Sequence, residues 1–390
     1  MRFRLGKKWL GIISVLALVG LACGGAAATA TPTPATATPA PTPTPAPTPP
    51  PEPPQTPIPE PTPKPQPVGK FQWEFFDVSH GAKPALALDS QGAPAIAFLL
   101  EEPTHGFVKY ATWNGSGFDV SDVAEGYFYG PLDLDIGPND RPHISYHDHQ
   151  DQAFRDSLGD ATYATLSEGQ WLVGPVFSEG HDGWDNSIVV DSQGNVHMAA
   201  VDPLQFARVE GVEYYFFDGQ EWTVEEIGSG PINYEWATSV AVDSEGQPHV
   251  TYFDSESKDL FHAVKASGGW AIEPVDAIRD SGRFASLALN SEGLPLISYL
   301  ELTGPDNGPS TGYIKFAKKR DVPEGWPAWE IERIDRLDDL FMGFLGARKI
   351  TSLVLDADEN PMFTYSDQSV VKLAYFDGSQ WNTETIATSD

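Results

Sequence analysis

One phrase, repeated six times, constrains this chain more than any other feature. The phrase is a short apolar strand ending in Asp or Asn, then a turn, then a second apolar strand. It appears as LALDSQGAPAIAF (Leu86 to Phe98), LDLDIGPNDRPHISY (Leu132 to Tyr146) and IVVDSQGNVHMAA (Ile188 to Ala200). It returns as VAVDSEGQPHVTY (Val240 to Tyr252), LALNSEGLPLISY (Leu287 to Tyr299) and LVLDADENPMFTY (Leu353 to Tyr365). The marker residues Asp89, Asp135, Asp191, Asp243, Asn290 and Asp356 are spaced by 46, 56, 52, 47 and 66. Self-similarity at a period near 50 means one supersecondary unit used repeatedly, and two short strands per phrase point to the blades of a propeller.

The second half of each unit agrees. A strand such as VKYATWNGSGF (Val108 to Phe118) leads through Asn-Gly or Asp-Gly into an aromatic, as do YYFFDGQEW, ending at Trp222, and LAYFDGSQW, ending at Trp381. Asn-Gly and Asp-Gly make tight hairpin turns because both residues tolerate positive φ. Each unit therefore reads as four antiparallel strands, the outer one opening at Phe118, Trp171, Trp222, Trp270, Trp329 or Trp381. Those aromatics are read as core between blades. The expected fold is all-β: a six-bladed β-propeller of four-stranded antiparallel blades over residues 69–390. The segment 72–77, QWEFFD, looks like a further outer strand that pairs with the last blade and helps close the ring.

Ahead of the repeats, residues 1–23 read MRFRLGKKWLGIISVLALVGLAC. A basic start and an apolar stretch from Trp9 to Ala22 suit a signal-peptide core and are short for a membrane-spanning helix, which needs about 20 residues. Gly20-Leu21-Ala22-Cys23 resembles the lipobox of bacterial lipoproteins. That likeness implies acylation of Cys23 and attachment to the outer face of the cell membrane, with ordinary cleavage and secretion as the alternative. Residues 24–68 are Ala, Thr and Pro with few large apolar side chains, and such a segment cannot bury enough surface to offset its ordering entropy. It is read as a disordered, extended spacer.

Charge narrows the partners. With 55 Asp and Glu against 24 Lys and Arg, the chain carries −31, and loss of Arg2, Arg4, Lys7 and Lys8 with a leader would leave −35. So negative a body repels polyphosphates and anionic lipid surfaces, which argues against nucleic acid and against membrane contact other than through a lipid anchor. Cys23 is the only cysteine, so the repeats hold no disulfide and no thiolate metal site.

The repeat phrase D-S-x-G-x-P-H-V-x-Y resembles NHL repeats and, more loosely, the repeats of sialidase-like propellers. In such folds ligands sit on the face formed by the loops from outer to next inner strand and from second to third strand. Seven residues before each marker, at the mouth of the central channel on that face, stand Ala82, Phe128, Trp184, Trp236, Arg283 and Lys349. Aromatic faces beside Arg suit sugars, whose C–H faces stack while hydroxyl and acid groups hydrogen-bond. Phe128, Trp184, Trp236, Arg283 and Arg348 are the candidate ligand-binding residues. The sialidase-like resemblance implies that Arg283 and Arg348 would hold a substrate carboxylate, although that family uses three Arg and only two are placed. The alternative is that the aromatics plug the channel mouth and the cations pair with acidic neighbours.

Two further features bear on chemistry. The second repeat departs from the others with His147-Asp148-His149, and His181 lies in the next loop. Alternate residues on a strand share a face, so His147, His149 and His181 form a candidate site for a divalent metal. No other cofactor is evident, since no phosphate-binding Gly loop, nucleophile elbow or dinucleotide fingerprint occurs. His143, His197 and His249 recur at one repeat position and are read as packing residues. With no catalytic set to point to, the chain is read as a surface-displayed binding protein for a glycan or an extracellular protein. A glycoside hydrolase or lyase of sialidase-like architecture and a scaffold of a cell-envelope complex are the alternatives.

Overall fold

The computed structural model describes residues 71–388 apart from 72, 102–104, 150–158, 177–182, 205–207, 230–237, 305–309, 324–327, 341–349 and 367–369. The leader with Cys23, the spacer, Trp236, Arg348 and His181 lie outside the described residues.

The described chain is all-β apart from one short 3-10 turn at Pro138–Asp140. The first two repeats comprise β1 (Ala82–Leu88), β2 (Pro94–Glu101), β3 (Gly106–Trp113), β4 (Phe118–Gly137), β5 (Arg141–His149), β6 (Gly159–Ser167) and β7 (Gln170–Pro175). The third holds β8 (Trp184–Val190), β9 (Val196–Leu204), β10 (Arg208–Phe217) and β11 (Trp222–Ser229). The fourth holds β12 (Ser239–Val242), β13 (Pro248–Asp254), β14 (Asp259–Ala266) and β15 (Gly269–Asp276). The fifth holds β16 (Asp280–Leu289), β17 (Pro295–Thr303), β18 (Ser310–Lys319) and β19 (Trp329–Leu340), and the sixth β20 (Thr351–Leu355), β21 (Pro361–Ser366), β22 (Val370–Phe376) and β23 (Trp381–Thr388).

Every pairing is antiparallel between chain neighbours, so the molecule is a propeller of four-stranded meanders. The division differs from six separate blades. Repeats three to six form four discrete four-stranded blades, whereas the first two share one seven-stranded sheet. The 20-residue β4 joins them, pairing with β3 as far as Gly126 and with β5 from Tyr127 onward. The reason is local: the aromatics of the stretch Gly126-Tyr127-Phe128-Tyr129-Gly130 favour extended backbone.

Five of the six markers build one turn. In each, the side-chain oxygen of Asp89, Asp191, Asp243, Asn290 or Asp356 accepts the amides two and four residues on, at 2.7–3.1 Å. The turn needs a left-handed residue, supplied by Gly92, Gly194, Gly246 and Gly293, and in the sixth repeat by Glu359 at φ 62°. Asp135 is a correction to this pattern. The ladder places Ile136 opposite Pro142, as Val190 stands opposite Val196, so Asp135 lies inside the strand and Gly137 occupies the turn position. Its carboxylate instead accepts the amide of Val190 from the next repeat, at 2.7 Å.

Blade faces are held together by aromatics. Trp171, Trp222, Trp270, Trp329 and Trp381 each lay a ring against the third strand of the preceding repeat, on Tyr110, Tyr163, Tyr214, His262 and Phe316, with centroids 4.9–5.7 Å apart and tilted or edge-on. Their reading as inter-blade core therefore holds. His143, His197 and His249 are buried as well, each bonding through Nδ1 to a third-strand partner: Tyr163, Tyr214 and His262. The segment 73–79 forms no strand and pairs with no ladder. It contacts the last repeat through side chains instead: Trp73 Nε1 donates to Glu384 at 2.8 Å, and Phe71 meets Tyr375 edge-on.

Candidate functional site at the channel mouth

Three of the positions expected at the channel mouth share a backbone device. Ala82, Trp184 and Arg283 each pair with the second strand, and immediately after each the register slips. The next residue is left-handed every time: Lys83 at φ 53°, Asp185 at 45° and Phe284 at 57°. A non-glycine residue rarely adopts this conformation, and a bulky one such as Phe pays strain for it. A bulge of this kind bends the strand and re-aims the side chain beside it. In the second repeat the slip follows Tyr129, with Gly130 at φ 75°, so the equivalent position is one residue beyond the counted Phe128.

Neighbouring repeats lock the bulges. Thr238 Oγ donates to the carbonyls of Asp185 (2.7 Å) and Ala199 (3.1 Å), and Thr351 Oγ does the same to Phe284 (2.8 Å) and Ser298 (3.2 Å). In the third repeat Asn186 is buried and bonds Ser145, Gly183 and Pro131, tying the second repeat to the third at the same depth. Sequence reasoning passed over Thr238 and Thr351, although both stand five residues before their markers. That spacing was the available signal.

Phe128 and Trp184 are half-buried, each with one side against the core. Phe128 meets Tyr146 edge-on at 5.3 Å, and Trp184 lies over the buried imidazole of His147 at 4.8 Å, with 36° between the rings. Gly159 makes room for that imidazole, since a Cβ there would stand 2.1 Å from His147 Nε2. Among the described residues no three His, Asp or Glu groups converge to hold a metal. His149 continues β5, but neither its side chain nor His181 belongs to the described residues. Close by, burial first and then the neighbouring Asp160 charge raise the Asp148 carboxyl to about 6, against the amide of Tyr127, which favours its ionised form.

Arg283 belongs to a buried charge network between the fourth and fifth repeats. Its guanidinium makes a two-pronged contact with Asp280 (Nε to Oδ1 2.5 Å, Nη2 to Oδ2 2.8 Å) and lies 4.9 Å from the Phe253 ring. Lys258 reaches the same carboxylate at 3.0 Å. Burial works to raise the Asp280 carboxyl, but Arg283 and Lys258 outweigh it and hold it below the usual range. Deeper in, Asp276 receives Tyr299 Oη at 2.8 Å and the ammonium of Lys315. Glu301, fully buried, accepts a hydrogen bond from Arg333 (2.7 Å) and forms an ion pair with Lys315 (3.0 Å), with Arg279 3.7 Å away. Burial, and then the Asp276 charge, push the Tyr299 hydroxyl far up, so it stays a proton donor. Arg279 and Arg333 leave their outer faces exposed to solvent, Arg333 stacking on Tyr313 at 4.3 Å. Of the positions that sequence reasoning grouped, Phe128 and Trp184 stay half-buried on the second and third repeats, whereas Arg283 is buried and paired with Asp280, the alternative reading for the cations; Arg279 and Arg333 are the exposed cations beside it.

No family model matches the sequence, and no curated protein matches it. Solved structures similar to the chain include a protein of unknown function from Dyadobacter fermentans DSM 18053, 12% identical with a TM-score of 0.49, covering 80% of this chain and 95% of that one. The Aleuria aurantia lectin in complex with Fucα1-6GlcNAc is 11% identical with a TM-score of 0.48, covering 79% of this chain and 97% of that one. The leech intramolecular trans-sialidase is 9% identical with a TM-score of 0.46, covering 82% and 70%. With TM-scores below one half and so little identity, these likenesses assign neither family nor function.

Proposed function

We propose that the chain is a six-bladed binding propeller that recognises a glycan or an extracellular protein at the channel mouth. The observation that carries this reading is the shared bulge. One backbone device stands beside the half-buried Trp184 and the buried Arg283, and strain is kept there by Thr hydroxyls from the next repeat. Six blades follow if each half of β4 serves as a strand of a separate blade. Half-buried aromatics present one rigid face each, and partnered guanidiniums at the rim offer donors to hydroxyl or acid groups. The basic-apolar leader ending in Cys23 and the Pro/Thr spacer support display on the outer face of the cell membrane, held away from it by the spacer. Binding rather than turnover is favoured because the buried carboxylates of the fifth repeat are engaged by Lys and Arg.

The test is a screen of the detergent-solubilised chain on an array of neutral and acidic glycans. Selective retention that is lost on Trp184→Ala supports the reading. A blank array, with a stable protein partner recovered from the cell envelope, would replace the glycan with a protein.

A further inference from the structure

The boundary between the sixth repeat and the first is built differently from the others. The ladder gives Leu86 five counterparts, each opposite the same second-strand position: Leu134, Ile188, Val240, Leu287 and Leu353. The counterparts are 5–7% exposed, and Leu134, Val240, Leu287 and Leu353 each pack in the face that meets the preceding repeat. Leu86 is 61% exposed, and Leu88 and, across the boundary, Val354 are both more than half exposed.

The polar equipment of a closed boundary is nevertheless in place. At three boundaries the residue just before this leucine-type position caps the inner-strand amide of the following repeat. Asp133 accepts Ile188 N at 3.1 Å, Ser239 accepts Leu287 N at 3.0 Å and Ser286 accepts Leu353 N at 3.0 Å. Ser352 holds the same ladder position in the sixth repeat, opposite Thr364 as Ser239 is opposite Thr251 and Ser286 opposite Ser298. Ser352 is exposed. Its matching amide is Leu86 N.

A strap spans the outside of this boundary. Phe71 and Trp73 hold the last repeat, Phe76 meets Trp113 of the first at 4.8 Å, and Gly81 presses so closely on Phe98 that a Cβ would stand 2.4 Å from its ring. The strap thus ties both sides together while the inner strands stand apart.

We propose that this boundary is a gate: the sixth and first repeats close on each other, Ser352 Oγ accepting Leu86 N and Leu86 packing against the last blade, with the 71–81 strap as the tether that lets the gate open without losing the ring. The proposal does not depend on which ligand, if any, the mouth takes.

Amide hydrogen exchange of the full chain in detergent, resolved to single residues, tests it without any substitution. In an open boundary Leu86 N faces water, because it points away from β2, as Leu287 N points away from β17. If the gate closes, Leu86 N is protected to within about tenfold of Ile188, Leu287 and Leu353. Ser352→Ala then lowers protection at Leu86 by about tenfold or more while leaving Leu287 unchanged, which also reports that the variant is folded. Exchange of Leu86 at least about a hundredfold faster than Leu287 in the unaltered chain would overturn the proposal, as would protection that Ser352→Ala does not alter.

Discussion

Thr351 of the sixth repeat donates its hydroxyl to the carbonyl of Phe284 in the fifth, at 2.8 Å, and so fixes a phenylalanine held at φ 57°. Thr238 stands in the same relation to Asp185, two repeats earlier in the chain. Arg283 and Trp184 each precede one of these left-handed positions, so inter-blade hydrogen bonds hold the backbone beside both.

Thr351→Val keeps the shape and removes the donor, taking from the buried carbonyl of Phe284 its hydroxyl partner. The cost is about 1–3 kcal/mol of stability, read by urea denaturation. Thr238→Val behaves alike. A variant as stable as the parent would show that the bulge holds itself.

Buried imidazoles make the propeller acid-sensitive. Burial, and secondarily Arg141, push His143 down to about 4; burial, and secondarily His262, push His249 down to about 4. Burial also lowers His197 and His262, against the pull of Asp191 and Glu273. The unfolded chain takes up the protons of His143 and His249 below pH ~6.5, the folded chain only near 4. Stability is therefore full above pH ~6.5 and falls as pH drops from there toward 4, by roughly 2 kcal/mol each for His143 and His249 after allowing for solvent screening. Urea midpoints measured between pH 8 and 4.5 check this, and a flat profile would contradict it.

Asp148 works in the opposite sense. Its folded-state carboxyl titrates near 6, above the unfolded value, so its ionised form weakens the fold at neutral pH. Asp148→Asn should stabilise by about 1 kcal/mol above pH 6, allowing for partial exposure, with the gain fading to nothing below about pH 4. A loss of stability at pH 7.5 would mean that the ionised carboxylate has a favourable partner.

Much of the fold is legible in the sequence because turns and core aromatics are local signals. Asp89, Asp191, Asp243, Asn290 and Asp356 each form the expected Asx turn, and the outer-strand Trp residues pack where their repetition places them. Asp135 misleads because LDLD offers two aspartates at strand spacing, while the real turn is carried by Pro138-Asn139-Asp140. The fusion of two repeats through β4 was not legible, since the strand runs on through Gly130-Pro131, a pair that ordinarily ends one. Counting back from the markers finds the bulged positions Trp184 and Arg283. It misses Arg279, Arg333 and Glu301, which converge only through strand pairing and inter-blade packing.

Trp184→Ala tests whether the mouth is a binding site at some cost to packing. The ring contributes to the core beside Val201 and His147, so a loss of about 1–3 kcal/mol is expected, small enough for a 300-residue propeller to remain folded. Glycan binding measured at a temperature where parent and variant are equally folded is the most direct measurement of the central claim. The account predicts a selective glycan for the parent and at least about a tenfold loss for Trp184→Ala, the scale of one buried aromatic contact. Equal affinity in parent and variant would contradict it, and would move the ligand site away from the channel mouth.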